Sequence, residues 1–87
     1  MATAILYGKP ECHLCEQAAA ILDELTRERG LTWRSVDITQ DADLFDRFRD
    51  VIPVIKVEGG PTLEWPTTAE RVRRALAAAD ANGHGER

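Results

Sequence analysis

The spacing of hydrophobic and polar positions changes several times along the chain, and each change marks an element. "TAILY" (3–7) is a short, β-favouring apolar run and reads as a first strand, punctuated by Gly8 and Pro10. From Cys12 onward the apolar residues Leu14, Ala18, Ile21, Leu22 and Leu25 recur at i, i+4, i+7, i+8 and i+11, which is one face of a helix. Glu16, Asp23, Glu24, Arg27 and Glu28 populate the other sides, and Gly30 stands where a helix C-terminal glycine belongs. "LTWRSVDI" (31–38) is rich in β-branched and aromatic residues and reads as a second strand. "DADLFDRFRD" (41–50) reads as a short helix with Leu44, Phe45 and Phe48 inward.

"VIPVIKV" (51–57) is nearly all apolar, as a strand buried on both faces should be. Glu58-Gly59-Gly60 forms a turn, and "PTLEW" (61–65) returns as the second strand of a hairpin. After Pro66, the run Thr67-Thr68-Ala69-Glu70 fits a capping box with Thr67 as N-cap and Glu70 at N3. The helix it opens carries Val72, Leu76 and Ala79 on its apolar face. "ANGHGER" (81–87) has the composition of a frayed tail.

The order is strand, helix, strand, helix, strand, strand, helix. The first three elements make a βαβ unit, which is right-handed and parallel in nearly all proteins. The last two strands make an antiparallel hairpin. The expected fold is α/β, a four-stranded mixed sheet flanked by helices. The domain spans 1–81, followed by a flexible tail at 82–87.

Composition narrows the function classes. A chain of 87 residues holds one domain. With 44% hydrophobic and 30% charged residues it is a soluble globular type and too apolar for a disordered one. A net charge of −4 argues against binding nucleic acid by phosphate neutralisation. Basic residues are scattered apart from "RVRR" (71–74), which reads as the solvated face of a helix. No apolar run approaches the roughly 18 residues of a membrane span, and "MATAILYG" lacks the basic start of a signal peptide. The expectation is a cytoplasmic monomer. In that reducing compartment a permanent structural disulfide is out of place, and a close cysteine pair is more often catalytic, redox-sensing or metal-binding.

The chain has two cysteines, Cys12 and Cys15, in "GKPECHLCEQA" (8–18). Cys12 falls at the start of the first helix, where four backbone N–H groups lack helical partners and the helix dipole is positive. Both effects favour a thiolate, and a C-x-x-C at such a helix tip lowers the cysteine pKa. Lys9 adds positive charge upstream, and His13 adds more when protonated; Glu11 and Glu16 oppose them. Residues i and i+3 on a helix lie roughly 5–6 Å apart, within the Cα separation a disulfide needs. The pair can therefore close and open a bridge, with the second thiol one turn deeper as resolver. A second feature is Pro53, inside an otherwise central apolar run. Proline removes a ladder donor there, a conflict that resolves if the Ile52–Pro53 bond is cis and opens the strand.

These features together resemble the thioredoxin superfamily, most closely its glutaredoxin-like branch. "LYGKPECHLC" is similar to the glutaredoxin opening, with a tyrosine and then a lysine three residues before the first cysteine. "CHLC" followed by Glu16-x-Ala18 also resembles a short glutaredoxin-like family found mainly in bacteria. The likeness in element order covers residues 2 to about 80 and implies a thioredoxin-like, glutaredoxin-type βαβαββα fold. It implies Cys12 as nucleophile, Cys15 as resolving thiol and Pro53 as a cis proline facing them. It further implies that the backbone of Ile52 pairs with a bound thiol peptide such as glutathione, with Lys9 near that ligand's carboxylate. Two departures stand out. The motif centre is His13-Leu14 where glutaredoxins commonly carry Pro-Tyr. Gly59-Gly60 lies in the hairpin turn, whereas glutaredoxins carry such a pair after the last strand, so Thr67 and Thr68 are left to hold a ligand carboxylate.

The function expected on these grounds is reduction of protein disulfides or glutathione mixed disulfides. No tightly bound cofactor is expected, with glutathione as co-substrate and a reductase as further partner. Three readings of the cysteines stay open at this point: redox pair, part of a metal site, or inert core thiols. A structural zinc site needs four ligands, and the candidates reduce to Cys12, Cys15, His13 and His84. The alternatives to an enzyme are a non-catalytic thioredoxin-fold binding module, a metal carrier and a redox sensor.

Overall fold

The β-favouring runs pair through the first strand, which becomes the centre of the sheet. In the computed structural model, which describes residues 2–85 and their side chains through Asp80, β1 (Thr3–Gly8) pairs in parallel with β2 (Thr32–Asp37) and antiparallel with β3 (Val54–Val57). β4 (Thr62–Glu64) closes the hairpin with β3, giving the order β2-β1-β3-β4. Three helices alternate with the strands: α1 (His13–Arg29), α2 (Ala42–Phe48) and α3 (Ala69–Gly85). A short 3-10 turn, Ile38–Gln40, leads from β2 toward α2. This is the mixed α/β arrangement that the strand and helix order implies.

The core lies between the sheet and the helices α1 and α3. Ala4 and Leu6 of β1, Ile55 and Val57 of β3, Ala18, Leu22 and Leu25 of α1, and Val72, Ala75 and Leu76 of α3 form one buried cluster. Alternate residues of β1 and β3 contribute, as the two-residue repeat of a strand requires. α1 ends as its sequence indicates: Gly30 takes φ 74°, and its N–H donates to the carbonyl of Thr26.

Several expected boundaries and faces differ. β3 begins at Val54 and not at Val51. Val51 and Ile52 instead donate their N–H groups to the carbonyl of Phe48, in the turn that leaves α2. Pro53 stands just ahead of the ladder, where its missing N–H costs no strand hydrogen bond, and its carbonyl accepts from Trp65. α2 is shorter than 41–50, with Asp41 as N-cap accepting from the N–H groups of Asp43 and Leu44. Phe45 faces solvent and is 37% exposed, while Phe48 turns in to stack on Tyr7 with ring centroids 4.7 Å apart.

In α1 the expected inward Leu14 is 42% exposed, and Cys15 takes the buried position at the head of the face. Thr67 is not the N-cap of the last helix. Thr68 is, with Oγ1 accepting from the N–H of Arg71 at 3.2 Å, so Glu70 falls one position short of a capping box. "RVRR" is also more than a wet face. Arg73 donates to both carboxylate oxygens of Glu28 at 2.7 and 2.9 Å, which ties α3 to α1. α3 runs on to Gly85, and the alanines at 75, 77, 78 and 79 favour helix over coil along its middle. Of the tail at 82–87, residues 86–87 lie outside the described residues.

Candidate active site

The cysteine pair occupies the seam between β1 and α1. β1 ends at Gly8, a four-residue loop follows, and Cys12 serves as N-cap of α1 with φ −113° and ψ 108°. Its Sγ accepts the N–H of Cys15 at 3.2 Å. A sulfur thus takes the place of the usual serine or aspartate oxygen, satisfying one of the orphan donors of the first turn. A cap that accepts a hydrogen bond is stabilised when it carries negative charge, so this geometry favours the Cys12 thiolate once the pair is reduced. Cys12 and Cys15 are joined as a disulfide, with Cα atoms 5.1 Å apart. Cys12 is partly exposed at the helix tip, whereas Cys15 is 8% exposed and one turn deeper.

Two backbone features shape this tip. Glu11 adopts φ 57°, a left-handed conformation uncommon for a side chain other than glycine, and so delivers Cys12 to the helix start. Gly8 lies directly under the pair. A Cβ at that position would stand 2.8 Å from Cys15 Sγ and 3.3 Å from Cys15 Cβ, so the absence of a side chain lets the second sulfur settle against β1.

A cleft of about 340 Å³ opens beside the pair, between α1 and the β1–β2 half of the sheet. Its apolar lining comes from Leu6, Ala19 and Trp33. Its polar lining comes from Lys9, Glu11, Glu16, Ser35 and Asp37. The Trp33 indole N–H donates to Asp23 Oδ1 at 3.2 Å, which fixes the ring along the cleft. The hydroxyl of Thr39 donates to Asp37 Oδ1 at 2.6 Å and its backbone N–H donates at 2.9 Å; together they hold the Asp37 carboxyl below its ordinary range.

Of the residues expected at the site, the cleft brings together Lys9, Cys12 and Cys15. His13 is exposed on the first turn of α1 and does not line it. Ile52, Pro53, Thr67 and Thr68 belong to the loops that precede β3 and α3, and they too are absent from its walls. The Ile52–Pro53 bond is cis, as is Trp65–Pro66. Thr67 is 9% exposed, and its Oγ1 finds no hydrogen-bond partner among the described residues. Among those residues no three His, Cys, Asp or Glu side chains converge as a metal site.

Gly8, Glu16, Trp33, Ser35 and Asp37 were not expected to share this site. The parallel register pairs Ala4 with Trp33, Leu6 with Ser35 and Gly8 with Asp37. One alternating set of β2 thus meets the set of β1 that lies under α1. On α1, residues 12, 15, 16 and 19 fall at i, i+3, i+4 and i+7. The signal is present in the chain, but only once the register of β1 against β2 is known.

Residues 3–77 match the family described as Glutaredoxin-like domain (DUF836). The chain belongs to this glutaredoxin-like family. Among solved structures it is similar to target protein XcR50 from X. campestris, at 36% identity over 86% of this chain and 96% of that one, with a TM-score of 0.73. It is also similar to chloroplastic thioredoxin z, at 19% identity over 93% of this chain and 80% of that one, TM-score 0.69. Thioredoxin O2 from Arabidopsis thaliana, crystallised in the oxidized state, gives 13% identity over 88% and 73%, TM-score 0.65. The last two likenesses show the thioredoxin-like fold alone. A search of the curated proteins finds no match. With a C-x-x-C pair bonded at the helix tip of this fold, the glutaredoxin-like chain carries the arrangement of a redox site. No helix among the described residues is long and apolar enough to cross a membrane.

Proposed function

We propose that this glutaredoxin-like protein is a thiol–disulfide oxidoreductase. The observation that carries the reading is Cys12 capping α1, with its sulfur accepting the Cys15 N–H and in bonding reach of Cys15. In the reduced protein the Cys12 thiolate attacks one sulfur of a substrate disulfide. The substrate S–S bond breaks, and the departing thiolate takes up a proton. Cys15, having lost its own proton, then attacks Cys12 Sγ. The mixed disulfide breaks, the second substrate thiol leaves, and the Cys12–Cys15 bridge forms. The substrate gains two electrons and the protein loses two, which a thiol such as glutathione or a dithiol partner restores.

Burial of Cys15 suits the resolving role, because it meets the mixed disulfide from within while Cys12 meets the substrate from outside. On the other side of the pair we assign the substrate backbone to Ile52 and Pro53. Thr67 and Thr68 stand ready to donate to a carboxylate at the start of α3. Lys9 supplies positive charge beside the attacking sulfur, and His13 stands next to Cys12 on the first turn of α1. We place this chemistry in the cytoplasm.

The test is turnover of a protein disulfide or a glutathione mixed disulfide by wild type, Cys12→Ser and Cys15→Ser. We expect Cys12→Ser to lose activity by a factor on the order of 10³ or more, because the nucleophile itself is gone. Cys15→Ser should trap a mixed disulfide at Cys12, visible by mass. Full activity in Cys12→Ser rules the mechanism out.

A further inference from the structure

The cleft between α1 and β2 is not needed for attack or resolution, yet both cysteines line it. We propose that it is a docking subsite for a long basic side chain, lysine or arginine, carried by the polypeptide whose disulfide the pair reduces. The inference rests on the redox reading above and names the substrate it favours.

The argument is one of shape and charge. Leu6, Ala19 and the Trp33 ring offer an apolar wall, which suits the methylene stem of such a side chain. An indole face also attracts a cation held over it. Three carboxylates, Glu11, Glu16 and Asp37, share the cleft with one ammonium, Lys9. Asp37 keeps its charge firmly, because the hydrogen bonds from Thr39 favour the ionised form. The chain as a whole is also acidic, with net charge −4, so a cationic partner is drawn toward it at long range. The positive end of α1 acts at the Cys12 sulfur and fades within the first turn. It favours the thiolate there, and Glu16 stands on that same first turn. An anionic tripeptide such as glutathione meets the opposite balance in this cleft and has only Lys9 to pair with there.

The experiment uses two synthetic peptide disulfides that differ only in the residues flanking cysteine, arginine in one and glutamate in the other. Reduction is followed with the wild-type protein at low and high salt. We expect the arginine peptide to react faster by roughly fivefold to tenfold at low salt, the product of two or three exposed ion pairs, with the gap narrowing as salt screens them. Glu11→Gln combined with Glu16→Gln, both at exposed positions, should bring the ratio toward one. Equal rates for the two peptides, or an unchanged ratio in the double variant, overturn the proposal.

A second arm does not depend on turnover. Cysteine-free versions of both peptides, with serine in place, are titrated into Trp65→Phe protein so that emission comes from Trp33. A saturable change with the arginine peptide and none with the glutamate peptide supports the subsite. No change with either overturns it. Failure to reduce either peptide, with Trp33 still responding to arginine, refutes the redox reading and leaves the subsite standing as a binding site.

Discussion

The two faces of the sheet are built on different terms. The face under α1 and α3 is sealed by Ala18, Leu22, Leu25, Val72, Ala75 and Leu76, each 3% exposed or less. Four of the residues in this cluster are alanines: Ala4, Ala18, Ala75 and Ala79. The face under α2 is covered by a helix of seven residues, none of them buried. Part of its attachment is the stack of Phe48 on Tyr7, with Arg47 5.8 Å from the centroid of the Phe48 ring. The difference teaches where the molecule keeps its rigidity. The cysteines sit at the end of the sealed face, on a strand and a helix that share one core, while the other face buries the smaller set Ile5, Val54 and Ile38 beside partly exposed rings.

The sharpest way to break this comparison is to remove one side chain from each face. Leu22→Ala empties a fully buried position and should cost about 2–5 kcal/mol. Phe48→Ala removes a larger side chain from the weaker face, where partial burial limits the loss to about 1–2 kcal/mol. Denaturant unfolding of the two variants measures both. Similar losses, or a larger loss at Phe48, would show that the α2 face carries more of the fold than its burial indicates.

A smaller effect separates the redox states. Gly8 belongs to the sealed face and abuts Cys15 Sγ. In the disulfide that sulfur is pinned toward Cys12, whereas in the reduced protein it is free to turn away from an added methyl. Gly8→Ala should therefore destabilise the oxidised protein by about 1–3 kcal/mol, the ordinary range for overpacking, and the reduced protein by less. The reduction potential then rises on the order of 20–60 mV. Thermal unfolding of both redox states, with an equilibrium titration against a thiol buffer, reads this directly. Equal destabilisation of the two states would assign Gly8 a packing role alone.

How much of this was legible in the chain follows from which signals are local. Element order, the parallel unit, the hairpin and Gly30 as helix terminator all come from short-range patterns, and they stand in the structure as read. The cysteine pair was legible because a C-x-x-C at a strand-to-helix junction is itself local. Leu14 and Phe45 were misplaced because an apolar residue at the right helical spacing still needs something to pack on. Leu14 lies on the first turn of α1, and Phe45 belongs to the thinly covered face. Thr67 lost the cap to Thr68, whose Oγ1 accepts from the N–H of Arg71, a choice that two adjacent threonines do not reveal in sequence. The cleft was illegible for a different reason: Trp33, Ser35 and Asp37 join it only through the register of two strands far apart in sequence.

The smallest expected effect tests what fastens the sealed face at its solvent edge. Arg73 donates to Glu28 on α1 at 2.7 and 2.9 Å and lies 3.7 Å from Glu24, also on α1. The hydrogen bond from Arg73 holds the Glu28 carboxyl below its ordinary value of 4.5. A depressed carboxylate stabilises the fold fully above its unfolded value, and the contribution disappears as pH falls through the folded one. Arg73→Met keeps the length of the stem and removes the charge. Its melting temperature should lie a little below wild type at neutral pH and low salt, because exposed ion pairs contribute modestly. The gap should narrow in high salt, and it should shrink as pH falls below the ordinary carboxylate range and through the lowered value of folded Glu28. A gap that persists unchanged at low pH would mean that the Arg73 stem, and not its charge, joins α3 to α1.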